Sequence, residues 1–252
     1  MLNYKGMIAG ASGLLVLAAV GCGASGSTAS GHATGSGSAP ATASAPARSA
    51  TASPGAVVLD GDTLYRLLLS ASAMPSGFSI DSSGTRNSGQ SLPQDMSQPV
   101  SASQACNLLT GTSWILAAGI SSADFAQNDY ANASKTAEIT QEIDYFQPGD
   151  AAKVMSRLWS VFGHCRSFTQ QAAGTTARTS MTRARLRRVG DGGITAIQTS
   201  PVLYGGTTLT AIRVGNAIVT CLDSSAGRDD GAAAVTMAKR IVQRLRAAQQ
   251  AG

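Results

Sequence analysis

From Gly23 to Ala56 the chain contains no Leu, Ile, Val, Met, Phe, Tyr or Trp. The segment is almost wholly Gly, Ser, Ala, Thr and Pro, with Arg48 as its one formal charge. A stretch with so little apolar surface to bury cannot offset the entropy lost on ordering. It is therefore expected to stay a disordered tether, with a coil reach of roughly 30 Å. Any core must come from residues 57–252, which is enough chain for one domain.

The residues before the tether say where such a domain is held. Lys5 precedes an apolar run from Met7 to Val20, interrupted only by Gly and Ser. That run is shorter than the roughly 20 residues a membrane span needs, and it matches the h-region of a secretory signal. It ends in Leu17-Ala18-Ala19-Val20-Gly21-Cys22, the arrangement of a bacterial lipoprotein cleavage site, with Ala19 standing where Leu is most usual. The expectation is a signal peptide over 1–21, a lipidated Cys22 opening a tether over 22–56, and a folded domain over 57–252. The partner implied is the membrane, through a lipid anchor on its extracytoplasmic face. The alternative is an uncleaved amino-terminal anchor.

Composition narrows the function classes. The formal net charge is +5, and Glu occurs only at Glu138 and Glu142. Most Lys and Arg fall in the last hundred residues, which favours an anionic membrane surface or cell-wall polymer over nucleic acid, given the expected compartment. Richness in Ala, Gly, Ser, Thr and Arg with little Lys is the usage of a high-GC genome and, with the tether, points to an actinobacterium. Setting Cys22 aside leaves Cys106, Cys165 and Cys221 in an oxidising compartment, so one disulfide and one leftover thiol are expected. Cys221 lies in an apolar strand-like run and reads as a small buried hydrophobe. Cys106–Cys165 is thus the favoured pair, with Cys165–Cys221 and a fully reduced domain as alternatives. No Cys-x-x-Cys is present and His164 is the domain's single His, so no metal site and no cofactor are expected.

Periodicity places the elements. A helix is predicted over Asp60–Ala73, with Leu64, Leu67 and Leu68 on one face. Thr85–Pro99 is predicted to be an exposed loop, and Ser101–Ala117 a second helix. Strict alternation over Thr136–Phe146 predicts a half-exposed strand whose outer face carries Glu138, Glu142 and Asp144. Pro148-Gly149-Asp150 leads into a third helix with Asp150 as N-cap, and Trp114 and Trp159 are expected in the core. Strands follow at Thr179–Val189, Ile194–Thr199, Thr207–Val214 and Ala217–Leu222, turning at Asp191-Gly192-Gly193 and Gly215-Asn216. Arg228–Ala248 closes as an amphipathic helix, with Asp229 and Asp230 at its N-terminus. The fold class expected is α+β: an antiparallel or mixed sheet of about five to six strands with helices packed on one face.

Certain local runs carry a resemblance. They are the Leu-rich first helix ending at Met74-Pro75-Ser76-Gly77-Phe78, Cys106-Asn107-Leu108-Leu109, Ile143-Asp144-Tyr145-Phe146, Trp159 closely followed by Cys165, and Arg213-Val214-Gly215-Asn216-Ala217-Ile218-Val219. Together they resemble the PknH-like extracellular sensor domain family, from about Val57 to Ala248. The resemblance implies a mixed sheet with helices and a cleft, and a role in extracellular ligand sensing. Members often carry two disulfides, whereas this chain has cysteines for one. The resemblance brings no catalytic residues, and neither a Gly-rich phosphate loop nor an His-Arg-Asp catalytic run is present. A sensor of this kind signals through a protein partner.

Few residues offer chemistry of their own. Cys165 and His164 are adjacent and so do not face each other, and no second domain His exists to act as a base. No Gly-x-Ser-x-Gly elbow occurs. Glu138, Glu142 and Asp144 are the candidate carboxylates of a cell-envelope hydrolase, provided they line a pocket with a partner carboxylate about 5–9 Å away. Against that stands an ordinary solvated strand face. Arg183, Arg185 and Arg187 form the candidate ligand-binding row, since guanidinium groups on one strand face hold phosphates or carboxylates. The competing expectation pairs this row with the acidic strand across the sheet. The reading that results is a non-enzymatic, membrane-anchored domain that binds or senses a small-molecule or envelope ligand, with the carboxylate hydrolase as the alternative.

Overall fold

Two strands that are apolar on both faces decide the architecture. Thr207–Val214 and Ala217–Asp223 are buried almost throughout, so a covering layer is needed on each side of the sheet they form. The computed structural model describes residues 59–89, 100–172, 175–201, 206–224 and 231–251. The expected signal segment, Cys22, the tether, and Arg228, Asp229 and Asp230 lie outside the described residues.

The strands in chain order are β1 (Phe78–Asn87), β2 (Asp124–Asn132), β3 (Glu138–Tyr145), β4 (Ser167–Ala172), β5 (Thr175–Leu186), β6 (Gly193–Thr199), β7 (Thr207–Val214) and β8 (Ala217–Asp223). The helices are α1 (Gly61–Leu67), α2 (Ala102–Leu108), α3 (Asp150–His164) and α4 (Ala232–Gln250), with short 3-10 segments at Ala71–Ala73 and Trp114–Ala118. The sheet runs β1-β2-β3-β8-β7-β6-β5-β4, and every neighbouring pair is antiparallel. Consecutive strands pair throughout except at the centre, where β3 pairs with β8 and Tyr145 lies opposite Ala217.

The sheet therefore has eight strands, not five or six. The three that sequence reading did not anticipate, β1, β2 and β4, are polar. In β1 the ladder with β2 is interrupted between Asp81 and Arg86 by a bulge, which breaks the two-residue period. In β2 the inward positions include Gln127, Asn128 and Asp129, so no apolar alternation marks it. Thr85–Asn87, expected in a loop, belongs to β1.

Helices cover both faces, not one. On the first face α1 and α4 pack over the sheet, bringing Leu64, Ala238, Ile241 and Leu245 against Ile139, Ile143, Val219 and Ile212. On the second face α2, Trp114–Ala118 and α3 bring Leu109, Trp114, Leu158 and Phe162 against Ile194, Leu209, Ile218 and Leu222. Trp114 is in this core, its ring 5.8 Å from that of Phe162.

The first two helices are shorter than their apolar spacing suggests. Asp60 caps α1 by accepting from the Thr63 N–H at 2.7 Å. The helix ends at Leu67 because the sheet claims the backbone of Leu69. Its N–H donates to Gln141 Oε1 at 2.9 Å, and its carbonyl accepts from the Tyr130 hydroxyl at 2.6 Å. Ser101 and Gln104 form a reciprocal capping box on α2. That helix stops at Leu108, and Trp114–Ala118 is a separate segment closed by Gly119 at φ 64°. Gly149, at φ 86°, is the N-cap of α3, and Asp150 is its first helical residue, where the carboxylate suits the helix dipole.

Candidate functional site

On the second face, α2, Trp114–Ala118 and α3 leave a groove between them. Its volume is about 480 Å³, and it is open to solvent. Val100, Ala105, Ala118 and Val161 supply apolar wall, while Arg157 and His164 bring the basic groups. Arg157, His164 and Ser160 share a face of α3 because they stand three, four or seven residues apart. Arg157 is held in place by donating from Nη1 to the carbonyls of Ala118 at 3.2 Å and Gly119 at 3.4 Å. The Cys106–Cys165 disulfide ties α2 to the end of α3 beside the groove, with Cys165 among the lining residues. Cys221 is free and buried on the other face, where burial pushes its thiol well up and keeps it protonated. The groove lining contains no carboxylate. Such a surface accommodates an apolar molecule with an anionic or neutral polar end.

The carboxylates of β3 are elsewhere. Glu142 and Asp144 point to the second face but are only 3% exposed each, so the expected half-solvated acidic face is not present. Three other strands contribute to their surroundings. Gln127 and Phe125 lie opposite them on β2, Thr220 opposite Glu142 on β8, and Arg86 opposite Gln127 on β1. Arg86 donates to Gln127 Oε1 at 3.2 Å and to the Ser113 hydroxyl, and its guanidinium lies 5.7 Å from the Phe125 ring centroid. One oxygen of each carboxyl, Glu142 Oε2 and Asp144 Oδ2, is buried without a hydrogen-bond partner.

Burial dominates the electrostatics of this pair. It holds Glu142 well above the usual carboxylate range, reinforced by the neighbouring Asp144 charge and only partly opposed by Arg86. It pushes Asp144 up to about 7, with Ser122 and Arg86 acting the other way. Asp129, beside them on β2, is raised by burial too, although Gln127 Nε2 donates to it at 2.8 Å. Glu138 is raised mainly by burial. These carboxyls do not line the groove, and the access that a hydrolytic pair needs is missing at Glu142 and Asp144. Among the described residues no cluster of three His, Cys, Asp or Glu side chains is arranged to hold a metal ion.

The arginine row also departs from expectation. Arg183 and Arg185 lie on β5 with their side chains toward α3, and Arg187 falls beyond the strand on an exposed bend. The two guanidinium carbons sit 3.9 and 4.2 Å from the centroid of the Trp159 ring. Arg183 Nη1 also donates to the Trp159 carbonyl. Trp159 is thus half-exposed against arginines and is not a core residue. Gly163 makes this possible, because a Cβ there would lie 2.6 Å from the Arg183 guanidinium. The row does not pair with the acidic strand, since β8, β7 and β6 separate β5 from β3.

Sequence reading missed Arg157, Arg86 and the Trp159–arginine stack. Arg157 carried a usable signal, because it shares the i, i+4 spacing of Val161 on a helix that was anticipated. Arg86 had none, since β1 itself was not recognised.

No family model matches the chain, and no curated protein sequence matches it. Among solved structures, the fold is similar to the crystal structure of the extracellular domain of PknH from Mycobacterium tuberculosis, with a TM-score of 0.52 and 15% identity. The match covers 77% of this chain and 100% of that one. At this identity the likeness is one of fold. Among the described residues no helix is long and apolar enough to cross a membrane.

Proposed function

We propose that the protein is a non-enzymatic sensor or ligand-binding domain carried outside the cytoplasm on a lipid anchor at Cys22. The observation that carries the binding role is the open groove between α2, Trp114–Ala118 and α3, apolar-walled and flanked by Arg157 and His164. Its volume of about 480 Å³ is in the range that takes a small organic ligand. The fold it shares with an extracellular domain supports a sensing role, and the cell envelope is the source of ligand that the amino-terminal sequence favours. In this reading the bound state is passed on through a protein partner.

Ser160 lines the groove from the exposed side of α3, so Ser160→Trp fills it without entering the core. Native mass spectrometry of the protein purified from its own membranes should show a retained small molecule in the wild type and its loss in S160W. A wild-type protein that retains nothing, or an S160W protein that retains the same mass, overturns the reading.

A further inference from the structure

Between residues 151 and 190 the chain has eight Lys and Arg and no Asp or Glu. Between 124 and 150 it has six Asp and Glu and one Lys. The fold turns this asymmetry along the chain into one across the sheet. The acidic stretch builds β2 and β3 toward one end, and the basic stretch builds α3, β4 and β5 at the other. The ion pairs among the described residues are Lys135–Asp81, Lys153–Asp150 and Arg213–Asp191, so the arginines of the β4–β5 end have no acidic partner there.

We propose that the β4–β5 end of the sheet is a docking surface for the anionic headgroups of a phospholipid membrane. Arg166, Arg178, Arg185, Arg187 and Arg188 are all exposed. They are not gathered around a pocket. Along β5 the odd positions face α3 and the even ones face the opposite side, so Arg178 projects from one face of the sheet and Arg185 from the other. Side chains splayed from both faces of one edge suit a plane that the edge abuts, and they do not converge on a single small anion. Trp159, half-exposed between the α3 surface and the Arg183 and Arg185 guanidinium groups, adds the amphipathic aromatic favoured at a membrane interface. The proposal does not rest on the groove or its ligand, which lie on the other flank of α3. A lipid at Cys22 would raise the local concentration of this surface at the membrane, and weak headgroup contacts then suffice to orient the domain.

The test uses the chain from residue 22 onward with Cys22→Ser, so that neither the apolar amino-terminal segment nor a lipid contributes; every described element follows Leu59. Co-sedimentation is measured with phosphatidylglycerol-containing vesicles and with phosphatidylcholine vesicles, at low and high salt. Binding is expected only to the anionic vesicles and should weaken as salt screens it. Arg187→Glu with Arg188→Glu, both exposed and outside the strands, should lower the partition coefficient about tenfold or more. Arg66→Glu, exposed on α1, should leave it unchanged. Circular dichroism melts confirm that each variant is folded. Absence of binding to anionic vesicles overturns the proposal. So does equal binding to neutral vesicles, or a partition that ignores the R187E/R188E reversal.

Discussion

Asp144 and Glu142 stand two residues apart on a buried strand face, and each keeps one oxygen without a hydrogen-bond partner. Burial makes both bind their protons more tightly in the folded chain than in the unfolded one. A group shifted this way adds stability at low pH and loses it as pH climbs through the raised value. For Asp144 the loss runs between the ordinary 3.8 and about 7, and it amounts to as much as about 4 kcal/mol at 1.36 kcal/mol per pH unit. Glu142 acts in the same direction. Asp60 and Asp81 are held low by hydrogen bonds from Thr63 and Ser83, so they favour the fold in the opposite sense, but only in the acid range and from exposed positions. The melting temperature should therefore be higher near about pH 5 than near about pH 8, and Asp144→Asn should flatten that slope. A wild-type profile that rises from acid to neutral pH would show that these carboxyls are solvated. The alternation along β3 revealed the strand and which residues share a face. It did not reveal that the face is covered, because the cover comes from Arg86, Gln127, Ser113 and Ser122, none of them apolar.

At the scale of elements, Cys106 and Cys165 join α2 to the end of α3 across a separation of 59 residues. Closing a loop of that length removes enough unfolded-state entropy to contribute roughly 4 kcal/mol. Replacing both cysteines by Ser should lower the urea midpoint by a corresponding amount and should also weaken retention of the ligand proposed for the groove, since the bridge fixes one wall against the other. An unchanged midpoint would mean that α2 is held by packing alone. This pairing was legible because Cys221 announces itself as a strand residue among Ile218, Val219 and Leu222. The later strands, β6 to β8, were legible for the same reason: their apolar residues keep the period and their turns carry Gly at positive φ. Strands β1, β2 and β4 were hidden by polar inward residues, by a bulge, and by a length of six residues in the case of β4. A cleft was expected only through the family resemblance, and nothing in the residues themselves placed the groove. It depends on the break at Gly111-Thr112 that separates α2 from Trp114–Ala118, where one continuous helix had been expected.

For the described fold as a whole, two apolar clusters share one sheet, one under α1 and α4 and the other under α2 and α3. Strands β7 and β8 belong to both, so neither cluster can melt alone without exposing the back of the other. Leu245→Ala, fully buried under α4, should cost about 2–5 kcal/mol. The near-UV signal of Trp114 on the opposite face should disappear in the same transition as the far-UV signal. Two separate transitions would show that the faces unfold independently. The order of the sheet has a further result. Strand β3 can complete its outer edge only against β8, which follows it in the chain after α3, β4, β5, β6 and β7. A chain emerging amino-terminus first therefore holds an unfinished three-stranded ribbon until β8 is free, and the closing step is a long-range and slow one. Until β8 arrives, the open edge of β3 offers unpaired backbone N–H and C=O groups to any other strand, so this delay is the stage at which pairing with a second chain would begin.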